Sequence, residues 1–216
     1  MSVAPINPVA IVTGAGRGIG RATAIELARA GYDLVLVSRT PADLEETIKL
    51  AGRGIAVSAD VTLVQDVDRA IAAGMDRFGR IDALINNAGF APPALIDDIT
   101  IEQWQQIIET NLSSAFYFSR AAWPIFRRQK GGVIVNISSL AARDPFDGLF
   151  AYGSAKAGLN ILGLAPARQG AAHTIRVQTP ALGAVETGMF RQLMTQEQFP
   201  LSHPVDPAEV ARVILQ

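Results

Sequence analysis

Residues 8–30, PVAIVTGAGRGIGRATAIELARA, constrain the fold more than any other stretch. A β-branched apolar run over 8–13 passes through Gly14, Gly16, Gly18 and Gly20 into an amphipathic segment over 18–30. Glycine allows a tight turn and a close approach of other atoms to the backbone. A buried strand that turns at once into a helix begins a βαβ unit. Its right-handed crossover sets the next strand parallel to the first. Gly31 is a natural stop for this helix.

The alternation continues along the chain. Strands are predicted over 33–38, 54–59, 81–86, 132–138 and 174–179, and helices over 41–51, 63–78, 101–130, 152–170 and 206–215. Pro41 suits a first helical turn, and Asp206 before Pro207 suits an N-cap. The strands read as near-continuous apolar runs, which marks parallel strands covered on both faces. The expected fold is α/β: one Rossmann-type, doubly wound parallel sheet with helices on both faces, forming a single domain over residues 1–216.

Composition removes several functions. A net charge of −1 over 216 residues gives no general attraction to nucleic acid or to an anionic membrane, and neither partner is expected. The chain has no cysteine, which excludes disulfides, thiolate metal sites and cysteine nucleophiles. His173 and His203 lie far apart without acidic neighbours, so no metal is expected. The N-terminus lacks the basic start and apolar core of a signal peptide, and no apolar run reaches membrane-spanning length. A cytoplasmic protein is expected.

The glycine turn is the first candidate site. Free N–H groups at a helix start, reinforced by the helix dipole, favour an anion. In an open α/β sheet this first βα turn receives the pyrophosphate of a dinucleotide. NAD sites place a carboxylate at the end of the second strand to hold the ribose 2′-hydroxyl. Here that strand ends in Ser38-Arg39-Thr40, Asp33 lies at its other end, and Glu45 and Glu46 lie on the next helix. Arg17 and Arg39 can reach a 2′-phosphate through charge and paired donors. NADP(H) is therefore expected in preference to NAD(H).

Further motifs resemble the short-chain dehydrogenase/reductase family over residues 8 to about 190. Its T-G-x-x-x-G-x-G matches residues 13–20, and its N-N-A-G matches Asn86-Asn87-Ala88-Gly89. Its catalytic asparagine matches Asn111 in ETNLSSAF. Its serine matches Ser139 in NISS, and its Y-x-x-x-K matches Tyr152 and Lys156. The stretch IIETNLSSAF is also similar to 3-oxoacyl-(acyl-carrier protein) reductases. The resemblance implies cofactor contacts at Gly14, Arg17, Gly18, Ile19, Gly20, Ser38 and Arg39. It implies others at Asp60, Val61, Asn87, Ala88, Gly89, Tyr152, Lys156, Val185 and Thr187. It implies a hydride transfer between nicotinamide and a small-molecule carbonyl or secondary alcohol, without metal. It also implies a homodimer or homotetramer.

Tyr152 and Lys156, four residues apart, share one helix face. A cation about 5 Å from a phenol, at an effective dielectric near 20, stabilises the phenolate by roughly 3 kcal/mol. That is expected to lower a pKa of about 10 by roughly two. Tyr152 could then exchange a proton with substrate near neutral pH. Ser139 is expected to hold the substrate oxygen. By the resemblance, Lys156 also contacts the cofactor ribose, and Asn111 holds a water beside the lysine. Ser138 competes with Ser139 for its role, but adjacent strand residues point to opposite faces, and the spacing to Tyr152 selects Ser139.

Three features depart from the family pattern. Pro166 falls inside the helix begun near Tyr152, so a kink or an early stop near Ala165 is expected, with a weaker dimer. Residues 180–183 read PALG where the family has P-G, which could reset the loop bearing Val185 and Thr187. The chain stops at Gln216, so the usual seventh strand is expected to be missing and strand six to form an edge. The segment between Met189 and Asp206 is short for a substrate-covering lid. Two other functions stay open: an NADP(H)-binding sensor with weak or no turnover, and the same reductase using NADH.

Overall fold

The computed structural model describes residues 7–200 and 204–216, so His203 lies outside the described residues. Six strands form one sheet: β1 (Val9–Thr13), β2 (Asp33–Ser38), β3 (Ile55–Ser58), β4 (Ala83–Asn86), β5 (Gly132–Asn136) and β7 (Ile175–Gln178). Their order is β3-β2-β1-β4-β5-β7, and every pairing is parallel. Two short strands, β6 (Ser138–Ser139) and β8 (Ala181–Leu182), pair beside it. The helices are α1 (Gly18–Arg29), α2 (Pro41–Ala51), α3 (Val64–Phe78), α4 (Ile101–Ile108), α5 (Ser114–Gln129), α6 (Phe150–Gly170), α7 (Gly188–Leu193) and α8 (Pro207–Ile214).

Strand alternation divides the core in two. Ile11, Val35, Val37, Leu84 and Ile134 point to one face and pack under Val67 and Ile71 of α3 and Phe118 and Phe126 of α5. Ala10, Val12, Leu34, Leu36, Ile85 and Val135 point to the other, against Ala24 and Leu27 of α1, Leu44 of α2 and Ile214 of α8. This is the doubly wound arrangement expected of apolar parallel strands. Asp206 caps α8 by accepting from the Ala208 N–H, and Pro207 follows as its first residue.

Two expectations need correction. The predicted helix over 101–130 is α4, a π-helical turn over Glu109–Ser113, and α5. One residue too many for the 3.6 period is absorbed there, and Asn111 lies in that turn. Pro166 does not stop α6 near Ala165, because the helix runs on to Gly170. The missing N–H leaves one carbonyl on a partly exposed surface, while Gly163 and Gly170 stay buried against Thr179 and Ile175. Strand β7 is an outer strand of the sheet, as expected of strand six.

Candidate active site

Sheet order reverses between β1 and β4, and a crevice opens there beyond the carboxyl ends of the strands. The glycine turn leaves β1 into this crevice. Gly14 has φ +63°, a conformation glycine adopts without strain. A Cβ on Gly20 would lie 2.6 Å from Asn87 Nδ2 and would run into the Gly14 carbonyl. The Asn87 amide donates to the carbonyls of Thr13 and Gly14, while Thr13 Oγ1 accepts from the N–H groups of Asn87 and Ala88. The side chain of Asn87 therefore ties the ends of β1 and β4 together.

Helix α1 starts with no side-chain cap and no acidic residue in its first turn. The N–H groups of Gly18, Ile19 and Gly20 begin this twelve-residue helix without a capping side chain, which suits a phosphate. Thr187 closes the opposite wall, with its Cγ2 3.3 Å from where a Gly18 Cβ would sit. Thr187 itself caps α7 through the Phe190 N–H, and Val185 is buried and bridged to Val205. The altered loop PALG keeps contact with the crevice: Pro180 accepts from the Ser138 N–H, and β8 lies beside Ser139.

At the end of β2, Ser38 is half-buried, while Arg39 and Arg17 are exposed. Among the described residues neither arginine side chain makes a hydrogen bond or ion pair. Beyond β3, Asp60 uses one carboxylate oxygen to accept from the Thr62 N–H and hydroxyl. Val61 packs into the core, which leaves its backbone as the part able to meet a ligand.

Tyr152, Lys156, Ser139 and Asn111 converge past the ends of β4 and β5. Ser139 Oγ accepts from the Ala141 N–H and lies against the Tyr152 phenol. Ser138 is buried and donates to the Lys156 carbonyl, so it is the structural serine of the two. Lys156 is 3% exposed, its Nζ donates to the Ile137 carbonyl at 2.8 Å, and it sits 5.5 Å from the centre of the Tyr152 ring. Asn111 Nδ2 donates to the carbonyls of Phe90 and Ile107. Its Oδ1 is buried without a partner among the described residues. A Cβ on Gly89 would lie 2.5 Å from that oxygen and 3.7 Å from Lys156 Nζ. Both atoms therefore face one small space.

The electrostatics correct the expected phenol. Burial raises the Tyr152 pKa, and the neighbouring Ser139 hydroxyl pulls it only part of the way back. Burial also pushes the Lys156 ammonium down to about 8. The lysine is desolvated along with the tyrosine and directs its hydrogen bond to a carbonyl. In the polypeptide itself it therefore does not offset burial of the phenol.

One charged group near this crevice was missed in the sequence: Asp43, in the first turn of α2. A Cβ on Gly16 would lie 2.8 Å from Asp43 Cβ, 3.6 Å from its Oδ2 and 3.2 Å from Ser38 Oγ. No pattern announces it, because it arrives through packing of α2 on the glycine turn. An apolar cavity of about 480 Å³ between β8 and α8 is lined by Leu182, Val185, Val210 and Ile214 among others. None of Asn111, Ser139, Tyr152 or Lys156 lines it. Among the described residues no group of three potential metal ligands occurs, and no helix is long and apolar enough to cross a membrane.

A Rossmann-like sheet with a glycine-turn crevice and a Ser-Tyr-Lys cluster at its carboxyl end defines a nucleotide-binding oxidoreductase fold. Residues 8–198 match the short chain dehydrogenase family. The chain belongs to that family, whose members use a nicotinamide cofactor. It is 38% identical to a 3-oxoacyl-(acyl-carrier-protein) reductase of Synechocystis sp., over 95% of this chain and 87% of the relative. A 3-oxoacyl-(acyl-carrier-protein) reductase of Vibrio cholerae is 32% identical over the same shares. The crystal structure of a 3-ketoacyl-(acyl-carrier-protein) reductase from Brucella melitensis, complexed with NADH, superimposes with a TM-score of 0.91. That structure is 28% identical and covers 96% of this chain and 89% of its own.

Proposed function

We propose that residues 1–216 form one domain that reduces a carbonyl, or oxidises the matching secondary alcohol, with NADP(H) as the preferred cofactor. The observation that carries the reading is the buried cluster: the Tyr152 phenol against Ser139 Oγ, with Lys156 behind it and the unpartnered Asn111 Oδ1 facing the same space as Lys156 Nζ. The uncapped start of α1, the glycine turn and Thr187 fit a dinucleotide pyrophosphate. Asn87, Ala88, Gly89, Asp60 and Val61 fit its adenosine side, while Val185, Tyr152 and Lys156 fit its nicotinamide end. Arg17 and Arg39, exposed and unpaired, favour a 2′-phosphate. When bound, the nicotinamide supplies or accepts the hydride.

The chain's own residues handle the proton. Ser139 holds the substrate oxygen and stabilises its developing charge. Tyr152 gives a proton to that oxygen in reduction and takes it back in oxidation. Lys156 Nζ lies 5.5 Å from the centre of the Tyr152 ring, and its charge, present below about pH 8, opposes the burial that disfavours the phenolate without outweighing it. Asn111 Oδ1 can hold a water against Lys156 and so pass protons toward solvent.

The 3-oxoacyl-(acyl-carrier-protein) reductases among the relatives favour 3-oxoacyl thioesters within the substrate class. The NADH in the Brucella melitensis structure favours NADH as the second cofactor reading. Self-association through α6 belongs to the same proposal, since Ile161 and Leu164 expose large apolar side chains on it. A cytoplasmic location is also part of the reading.

The test is Tyr152→Phe, assayed for turnover of a carbonyl panel and titrated with NADPH. The variant should bind cofactor as the wild type does and lose turnover on the order of a thousandfold. Full activity in the variant would remove Tyr152 from the chemistry.

A further inference from the structure

The sequence shows no carboxylate at the end of β2, but the fold supplies one from elsewhere. Asp43 and Ser38 face the same point above Gly16: a Cβ there would lie 3.6 Å from Asp43 Oδ2 and 3.2 Å from Ser38 Oγ. This fork between the glycine turn and the end of β2 is where a bound dinucleotide places its adenosine ribose. Among the described residues the Asp43 carboxylate accepts no hydrogen bond and forms no ion pair. Its backbone carbonyl does take part, accepting from Arg21 and Thr47, which fixes the first turn of α2 against the glycine turn. Arg21 also donates to the Gly16 carbonyl, so one guanidinium joins both walls of the fork. The carboxylate is therefore held in position with its acceptors free.

We propose that Asp43 determines cofactor selectivity: its carboxylate accepts from the 2′-hydroxyl of NAD(H) and repels the 2′-phosphate of NADP(H), opposing Arg17 and Arg39. This rests on the cofactor reading above and deepens it. Two exposed arginines attract the phosphate through solvent, where salt screens them. Asp43 is half-buried against the glycine turn, so its charge is less screened than theirs. NADP(H) preference is then smaller than the arginines alone would give, and NADH remains a usable cofactor.

Nicotinamide fluorescence titrations of the full chain with NADPH and NADH, at low and high salt, test this. Asp43→Asn should raise the ratio of NADPH to NADH affinity about tenfold, mainly by tightening NADPH, with the gain shrinking at high salt. Glu46→Gln, on the same helix and exposed, removes an equal charge away from the fork and should leave the ratio unchanged. An unchanged ratio in Asp43→Asn, or an equal shift in Glu46→Gln, overturns the assignment while the cofactor reading stands. Binding of neither cofactor by the wild type overturns the cofactor reading, and this inference with it.

Discussion

Helices α1 and α6 both begin at the carboxyl end of the sheet, yet they present opposite kinds of surface. The start of α1 offers backbone N–H groups and an exposed arginine, Arg17, to the crevice. The start of α6 hides Tyr152 and Lys156, which are 9% and 3% exposed. Near α1, charge acts through water, so each contact is modest and screened by salt. Near α6, charge acts inside protein, so pKa values move and single atoms matter. Binding and chemistry are thus handled in different dielectrics within one crevice.

The contrast predicts that the largest losses come from the buried side. Tyr152→Phe removes one oxygen, yet it should lower turnover on the order of a thousandfold, as general acid–base groups do. An effect of less than tenfold would place the proton transfer elsewhere. Next in size is Gly20→Ala. Its added Cβ would meet Asn87 Nδ2 at 2.6 Å and the backbone of Gly14, neither of which can move freely. We expect a loss of about 2 kcal/mol, or roughly 4–8 °C in melting temperature. Gly188 has open space around a Cβ, so Gly188→Ala should be near neutral. Equal behaviour of the two variants would mean that the glycine turn relaxes more easily than its contacts suggest. On the exposed side, Arg39→Ser should weaken NADPH binding about tenfold at low salt and much less at high salt. A salt-independent loss would mean that Arg39 is enclosed by the ligand rather than solvated.

What could be read from the sequence divides along the same line. Strand runs, the glycine turn and the Tyr152–Lys156 pair are local patterns, and the structure places them as expected. The π turn at Glu109–Ser113 is invisible to a 3.6-residue period, because one extra residue barely disturbs the apolar face. Pro166 reads as a breaker, but packing of its helix on the sheet outweighs one lost hydrogen bond. Asp43 lies five residues past Ser38 and reaches the fork only because α2 folds back on the turn. The Tyr152 pKa shifts opposite to the direction its spacing from Lys156 implies, for the same reason. Spacing gives the distance to Lys156, while burial, a property of the whole fold, decides which form of the phenol is favoured.

The smallest expected effect comes from the buried lysine, and it can be read without substrate or cofactor. Lys156 ionises at about 8 in the folded chain against an ordinary 10.5. Below pH 8 it is protonated in both states, and the penalty for burying its charge is carried in full. Between 8 and 10.5 the unfolded chain binds more protons than the folded one, so stability rises with pH across that window. From pH 7 to pH 9 the gain should be roughly 1 kcal/mol, or about 2–4 °C in melting temperature. Lys156→Met removes the titrating group and should flatten this rise. It also loses the hydrogen bond to the Ile137 carbonyl, so the comparison is between slopes and not between absolute melting temperatures. The Tyr152 phenol ionises above its ordinary value of 10.0, so its own contribution, a fall in stability, begins near pH 10 and lies outside the comparison of pH 7 with pH 9. A rise of the same size in Lys156→Met would assign the pH dependence to other groups and leave Lys156 charged in the folded protein.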